Sequence, residues 1–216
     1  MTDRSTSDAR VEWLSIAGSA AAWRDLGLTG SDGPDESFSI PLMGTGLRVG
    51  APVAGESGIV GWALSGVERP TGDTVDGLTT DVVDARPPVF AQHALGAIEL
   101  DHVVVLTDDL TRTTDAVADA TGCELRRVRE VGTMRQGFHR IGRSGLVVEV
   151  VARPEVPAGP ATFWGLVLTV EDLDAACDLL GPDRVSAPKD AVQPGRRIAT
   201  LREAAGLGLP VALMTS

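Results

Sequence analysis

Ile98-Glu-Leu-Asp-His102-Val-Val-Val-Leu-Thr107, followed by Asp108-Asp109-Leu110 and closed by Gly122, is the stretch on which the fold of this chain turns. It opens as an apolar strand rich in β-branched residues. It then passes through Thr and Asp positions suited to a helix N-cap, and continues with Leu110, Thr114, Val117, Ala118 and Thr121 at helical spacing. Gly122 supplies the stop. Three more strand-like runs follow, at 123–130, 137–142 and 146–151. The first strand carries a lone histidine, His102. The last, Leu146-Val-Val-Glu-Val-Val151, carries a lone carboxylate, Glu149. A charge inside an apolar strand is costly unless it is paired or bound to a metal. The two side chains are therefore expected to meet.

The same strand–helix–glycine plan occurs on both sides, at 11–27 and at 163–181. Hairpins repeat as well. Phe38-Ser-Ile-Pro-Leu-Met-Gly-Thr-Gly-Leu-Arg-Val49 parallels Phe138-His-Arg-Ile-Gly-Arg-Ser-Gly-Leu-Val-Val-Glu149, and 197–212 is a third copy. The chain divides accordingly. Residues 1–9 read as a disordered tail, and 10–67 as a shortened, degenerate β-α-β-β module plus one strand. That extra strand, at 59–67, resembles the opening strand of a gutted fourth copy. Residues 68–97, rich in Thr, Asp, Gly and Pro, read as a linker or flap. Residues 98–153 form a central β-α-β-β-β module, and 154–216 a C-terminal β-α-β-β module. The fold class is α+β, with repeated β-α-β-β-β modules whose curved mixed sheets cover one another and leave a cleft.

Bulk properties narrow the function. The 216 residues, 43% apolar and 23% charged, suffice for a sizeable core. A formal charge of −11 opposes binding to a phosphate backbone, so no nucleic-acid partner is expected. Two cysteines, Cys123 and Cys177, in no metal-type or disulfide spacing, fit a reducing compartment. With no leader-like start and no apolar run near membrane-span length, the expected location is cytoplasmic, without a membrane partner. Nucleotide-binding glycine fingerprints, a Walker lysine, a nucleophile elbow and a Cys–His pair are all missing from the sequence.

Leu100-Asp-His-Val-Val-Val-Leu-Thr-Asp-Asp-Leu110, Gly145-Leu-Val-Val-Glu-Val-Val151 and Gly165-Leu-Val-Leu-Thr-Val-Glu-Asp-Leu-Asp-Ala-Ala176 together resemble the vicinal oxygen chelate superfamily, the glyoxalase, bleomycin-resistance and extradiol-dioxygenase group. The resemblance covers 98–216 well and the first 67 residues loosely. It implies a divalent metal, Zn, Fe, Mn, Ni or Co, held by residues from the first and last strands of paired modules. His102 and Glu149 match those two positions. The counterparts elsewhere are Gly165 and Ala212 in the last module and approximately Trp13 and Gly50 in the first. None of these has a liganding side chain, which leaves His139 as a possible third ligand, with His93 and Glu99 as further candidates. A metal site and a metal-free His–Glu pair are both open.

A second constellation is basic and polar: Arg135 and Gln136 before one strand of the central module, and Lys189, Gln193 and Arg196 before the equivalent strand of the last. If the modules pair, these residues bind an anionic or carbonyl-bearing small molecule, with Arg making bidentate contacts. Trp164, like Trp13 and Trp62, falls in a first strand and is either core or a cleft-lining ring. Two functions follow from the resemblance. One is metal-assisted lyase, isomerase or dioxygenase chemistry, with His102 and Glu149 as the catalytic pair. The other is non-catalytic, metal-free small-molecule binding of the bleomycin-resistance type. A homodimer stays open.

Overall fold

Fifteen strands and three α-helices follow the repeat, in a computed structural model that describes residues 8–51, 55–142 and 145–216. The first module is β1 (Arg10–Ala17), α1 (Ala20–Asp25), β2 (Ser31–Asp32), β3 (Phe38–Ile40) and β4 (Gly46–Gly50). The second is β5 (Gly58–Ser65), β6 (Thr74–Val75) and β7 (Leu78–Val82), with no α-helix. The third is β8 (Ala97–Thr107), α2 (Leu110–Thr121), β9 (Arg127–Val131), β10 (Met134–Arg140) and β11 (Val147–Ala152). The fourth is β12 (Thr162–Val170), α3 (Leu173–Leu180), β13 (Lys189–Asp190), β14 (Arg197–Thr200) and β15 (Val211–Thr215).

The helices begin where short polar side chains can replace the missing intrahelical acceptors. Asp109 accepts the Arg112 N–H at 3.1 Å, and Asp172 accepts the Ala175 N–H at 3.0 Å. The α2 helix ends on Gly122 at φ 65°, a left-handed cap that any side chain would strain.

Modules pair two by two. A seven-stranded sheet runs β2-β3-β4-β1-β5-β7-β6, and an eight-stranded sheet runs β13-β14-β15-β12-β8-β11-β10-β9. In each sheet the two opening strands meet antiparallel, β1 with β5 and β8 with β12. Each opening strand also runs parallel to its own module's last strand. One apolar cluster spans both halves, and Trp62 meets Phe163 edge-on at 5.6 Å between ring centroids. Met43 donates its N–H to the Ile98 carbonyl at 2.8 Å, a further link between the halves.

Three expectations change. The stretch 68–97 is not a plain linker: it contains β6 and β7, and β7 lies parallel to β5 as β4 does to β1. The strand at 59–67 is thus the start of a fourth copy that keeps its last strand and loses its helix. Two- and five-residue strands among Thr, Asp and Gly leave little periodicity to read. Ala9, assigned to a disordered tail, is fully buried, while 1–7 lie outside the described residues. The end modules also each gain a two-residue strand, β2 and β13.

One irregularity repeats in all four opening strands. Each has an extra residue facing its partner strand: Glu12 in β1, Val60 in β5, Asp101 (with a second, Ile98) in β8, and Trp164 in β12. Such a bulge turns one more side chain toward the face it would otherwise avoid.

Candidate functional site

Bulging at Asp101 makes the site. In regular alternation Asp101 and His102 would point to opposite faces of β8. Instead, Asp101 Oδ2 lies 2.6 Å from His102 Nδ1, and the Asp101 Oδ1 accepts Arg196 Nη1 at 2.7 Å. Arg196 is fixed further by donating its Nε–H to the Thr215 carbonyl at 2.7 Å. Because Nδ1–H donates to Asp101, His102 presents Nε2 in the other direction, toward Glu149.

Glu149 reaches the same face from β11, where it lies beside Val104 and opposite Phe138. Its Oε2 is 3.6 Å from His102 Nε2, beyond hydrogen-bond reach, and its Oε1 accepts Gln136 Nε2 at 2.5 Å. The result is a row, Arg196–Asp101–His102–Glu149–Gln136, running from the residue before β14 through β8 and β11 to β10.

The two carboxylates differ in electrostatics. Burial alone would raise the Asp101 carboxyl, but the hydrogen bonds from His102 and Arg196 outweigh it and hold the group below its ordinary range. Burial dominates at Glu149 and pushes it up, against the pull of His102, Gln136 and Arg129. One imidazole thus sits between a carboxylate held ionised and a carboxyl biased toward its neutral form.

This row forms part of the wall of a cavity of about 1180 Å³. The first module supplies further lining, including Trp13, Met43 and Arg48, with Arg86 from the segment after β7. Small-molecule sites span roughly 300–1,000 Å³, so the space is ample for an organic ligand.

The predicted residues separate clearly. His102, Glu149, Gln193 and Arg196 border the cavity, and Gln136 touches Glu149. His139 does not reach the site. It pairs with Val148 on the opposite face of β10, is 1% exposed, and donates Nδ1–H to the Cys123 carbonyl at 2.9 Å. Arg135 also alternates away from Gln136, is exposed, and faces Glu130 at 3.5 Å. Lys189 is exposed on the edge strand β13, and Trp164, the bulged residue of β12, is 46% exposed and does not line the cavity. His93, a further ligand candidate, is buried away from the cavity, accepting the Thr29 N–H at 2.9 Å and standing 2.9 Å from the Pro41 carbonyl. Asp101 was missed because only the bulge brings it beside His102. The first-module counterpart of Glu149 is Arg48, not Gly50: Arg48 follows the Trp13 partner Gly46 by two residues, as Glu149 follows the His102 partner Val147.

A catalytic metal centre asks for three protein ligands, and the donor set stops at two. The position matching His102 in the fourth module, Gly165, has no room for a side chain, since a Cβ there would lie 2.6 Å from the Pro210 carbonyl oxygen. The position matching Glu149 is Ala212, packed in an apolar cluster with Val167 and Met214. Among the described residues no group of three His, Cys, Asp or Glu side chains is arranged to hold a metal ion. The residues present do not fit such a centre.

Comparison with known proteins bears on the fold. The family model described as Glyoxalase/Bleomycin resistance protein/Dioxygenase superfamily matches residues 99–205. No curated protein matches the chain in sequence. A triple mutant of 4-hydroxymandelate synthase from Streptomyces coelicolor superposes with a TM-score of 0.64 at 14% identity, covering 95% of this chain and 92% of the other. The 2,2',3-trihydroxybiphenyl 1,2-dioxygenase from the dibenzofuran-degrading Sphingomonas wittichii strain RW1 gives 0.64 at 15% identity, covering 98% and 91%. Methylmalonyl-CoA epimerase from Mycobacterium tuberculosis gives 0.48 at 18% identity, covering 59% and 92%. Among the described residues no helix is long and apolar enough to cross a membrane.

Proposed function

The chain belongs, through residues 99–205, to the Glyoxalase/Bleomycin resistance protein/Dioxygenase superfamily, and from that premise we propose that it binds a small carbonyl- or carboxylate-bearing molecule in the cavity between its two sheets, without a metal. The observation that carries this reading is the row Arg196–Asp101–His102–Glu149 on the cavity wall, with Gln136 holding Glu149 from behind it. Asp101 fixes the His102 ring so that Nε2 faces the ligand space. A carbonyl or carboxylate oxygen there meets a group that can give or accept a proton, beside a guanidinium already oriented by its own contacts.

A second reading, metal-free proton transfer, is favoured by one specific feature. Two titratable carboxyls flank one imidazole and are biased in opposite directions, the arrangement that separates an acid from a base. His102 would take a proton from a carbon next to the ligand's carbonyl, with Asp101 stabilising the imidazolium that results. Glu149, in its protonated form, would give its proton to the resulting enolate oxygen, so that the ligand leaves as its enol, and the imidazolium would pass its Nε2 proton to the Glu149 carboxylate 3.6 Å away, restoring both groups.

Thermal melts of the purified chain with pyruvate, malonate and acetate, alongside elemental analysis, test the binding reading. The expected result is a melting shift with at least one of these ligands that His102→Ala removes, in protein free of stoichiometric metal. Stoichiometric metal that disappears in His102→Ala would overturn the metal-free reading. The absence of any His102-dependent shift would overturn the site.

A further inference from the structure

The first module holds its own version of the His102–Glu149 position, filled with different chemistry. In β1 the bulge at Glu12 corresponds to that at Asp101, which sets Trp13 where β8 has His102. Arg48 stands where β11 has Glu149. The Arg48 guanidinium lies 3.4 Å over the Trp13 ring centroid, and that of Arg86 lies 4.6 Å over the same ring. Trp13 is 6% exposed, so the ring is a firm platform, and all three residues border the cavity.

These two cations are unusual company for each other. Both distances are measured to one ring, so the charges stand no farther apart than the roughly 8–10 Å over which salt screens. Burial and the Arg86 charge both lower the Arg48 pKa, with Asp81 acting in the opposite sense. Glu12 is nearby but already engaged, accepting the Ser65 hydroxyl at 2.5 Å and the Arg86 backbone N–H at 3.4 Å. Among the described residues neither guanidinium has a hydrogen-bond or ion-pair partner, in a chain of net charge −11. Two oriented, mutually repelling guanidinium groups on a cavity wall have their donors free for an anion that would remove the repulsion.

We propose that Arg48 and Arg86, stacked on Trp13, form a binding site for the doubly charged phosphate group of an organic phosphate monoester. Two positive charges match two negative ones, and the forked donors suit phosphate oxygens. The remaining cavity volume is far more than a free phosphate ion needs, which favours an ester. The site does not depend on the role assigned to His102, which comes from the third module.

Calorimetric titration of the full chain with phenyl phosphate, inorganic phosphate and acetate, at constant ionic strength, tests this. Phenyl phosphate is expected to saturate one site, more tightly than inorganic phosphate and much more tightly than acetate. Arg86→Gln, in an exposed segment, and Arg48→Gln should each weaken it about tenfold or more, with cooperative urea unfolding retained. Arg153→Gln, an equal loss of charge at an exposed position away from the cavity, should leave it unchanged. Absence of saturable binding, affinity retained in both arginine variants, or affinity lost equally in Arg153→Gln would each overturn the proposal. Acetate or inorganic phosphate binding as tightly as phenyl phosphate would overturn the ligand class.

Discussion

Asp101 and Glu149 approach one imidazole from opposite ends, Asp101 Oδ2 at 2.6 Å from Nδ1 and Glu149 Oε2 at 3.6 Å from Nε2 of His102. The short contact is a charge-assisted hydrogen bond, and the longer one leaves a gap into which a ligand atom can enter. Each carboxyl is coupled to folding with a different sign.

Asp101 stabilises the fold. Its folded pKa lies below the ordinary 3.8, so the unfolded chain binds more protons on acidification. The stabilisation is therefore complete above 3.8 and lost as pH falls through the lower folded value. Asp101→Asn is expected to cost about 1.5–3 kcal/mol at pH 7, the range for hydrogen bonds to a charged group. Urea unfolding should show the difference from wild type narrowing toward pH 3. A constant difference would mean that the charge is irrelevant.

Glu149 works the other way. Its folded pKa is raised above the ordinary 4.5, so between 4.5 and that raised value the folded state holds the extra proton. Stability then falls as pH rises through this window, and at pH 7 the buried carboxylate is a net cost. Glu149→Gln keeps the shape and removes the charge. It should gain about 0.5–2 kcal/mol, seen as a melting point higher by about 2–4 °C per kcal/mol. A lower melting point would show that the carboxylate contributes to stability through His102.

How far this was legible in the sequence depends on whether period-2 and period-3.6 patterns carry the information. The strand–helix–glycine units at β1, β8 and β12 are readable because apolar spacing, caps and stops agree. His102 and Glu149 stand out as polar interruptions of apolar strands. Asp101 does not, because a bulge is invisible to a strict alternation and reverses the face it predicts. Arg135 and Gln136 could have been separated by alternation once the start of β10 was known; without that register, neighbours in sequence look like neighbours in space. Trp13, Arg48 and Arg86 come from three distant segments, and only the repeat offset between β4 and β11, which a two-residue error had placed at Gly50, points to Arg48.

His93 shows how a histidine in a segment read as linker can be structural. Its Nδ1 accepts the Thr29 N–H and its Nε2–H donates to the Pro41 carbonyl, both at 2.9 Å, tying the approach to β8 onto the first module. Leu95 adds a backbone bond to the Gly27 carbonyl at 3.2 Å. His93→Ala removes two hydrogen bonds to the backbone of exposed Thr29 and half-buried Pro41, each worth about 0.5–1.5 kcal/mol, so a loss of about 1–3 kcal/mol is expected. Amide exchange at Thr29 should accelerate in the variant. Unchanged exchange at that amide would show that the clamp is not formed in solution.

His139 sets the acid limit of the third module. Burial pushes its pKa below the ordinary 6.5, against the Cys123 carbonyl bond and the Asp115 charge. Its Nε2 is buried and has no hydrogen-bond partner among the described residues. Protonation would place a charge and a new donor where nothing can accept it. Below 6.5 the unfolded chain takes up a proton that the folded chain resists, so stability is full above 6.5 and declines as pH falls toward the folded value, by up to about 1.4 kcal/mol per unit of depression. His139→Asn supplies a side-chain N–H for the Cys123 carbonyl and removes both the titratable ring and the orphaned nitrogen. Urea midpoints at pH 7, 6 and 5 should therefore fall less steeply in His139→Asn than in wild type, although every other histidine and carboxylate is shared. Parallel slopes would assign the acid sensitivity to the row around His102 instead.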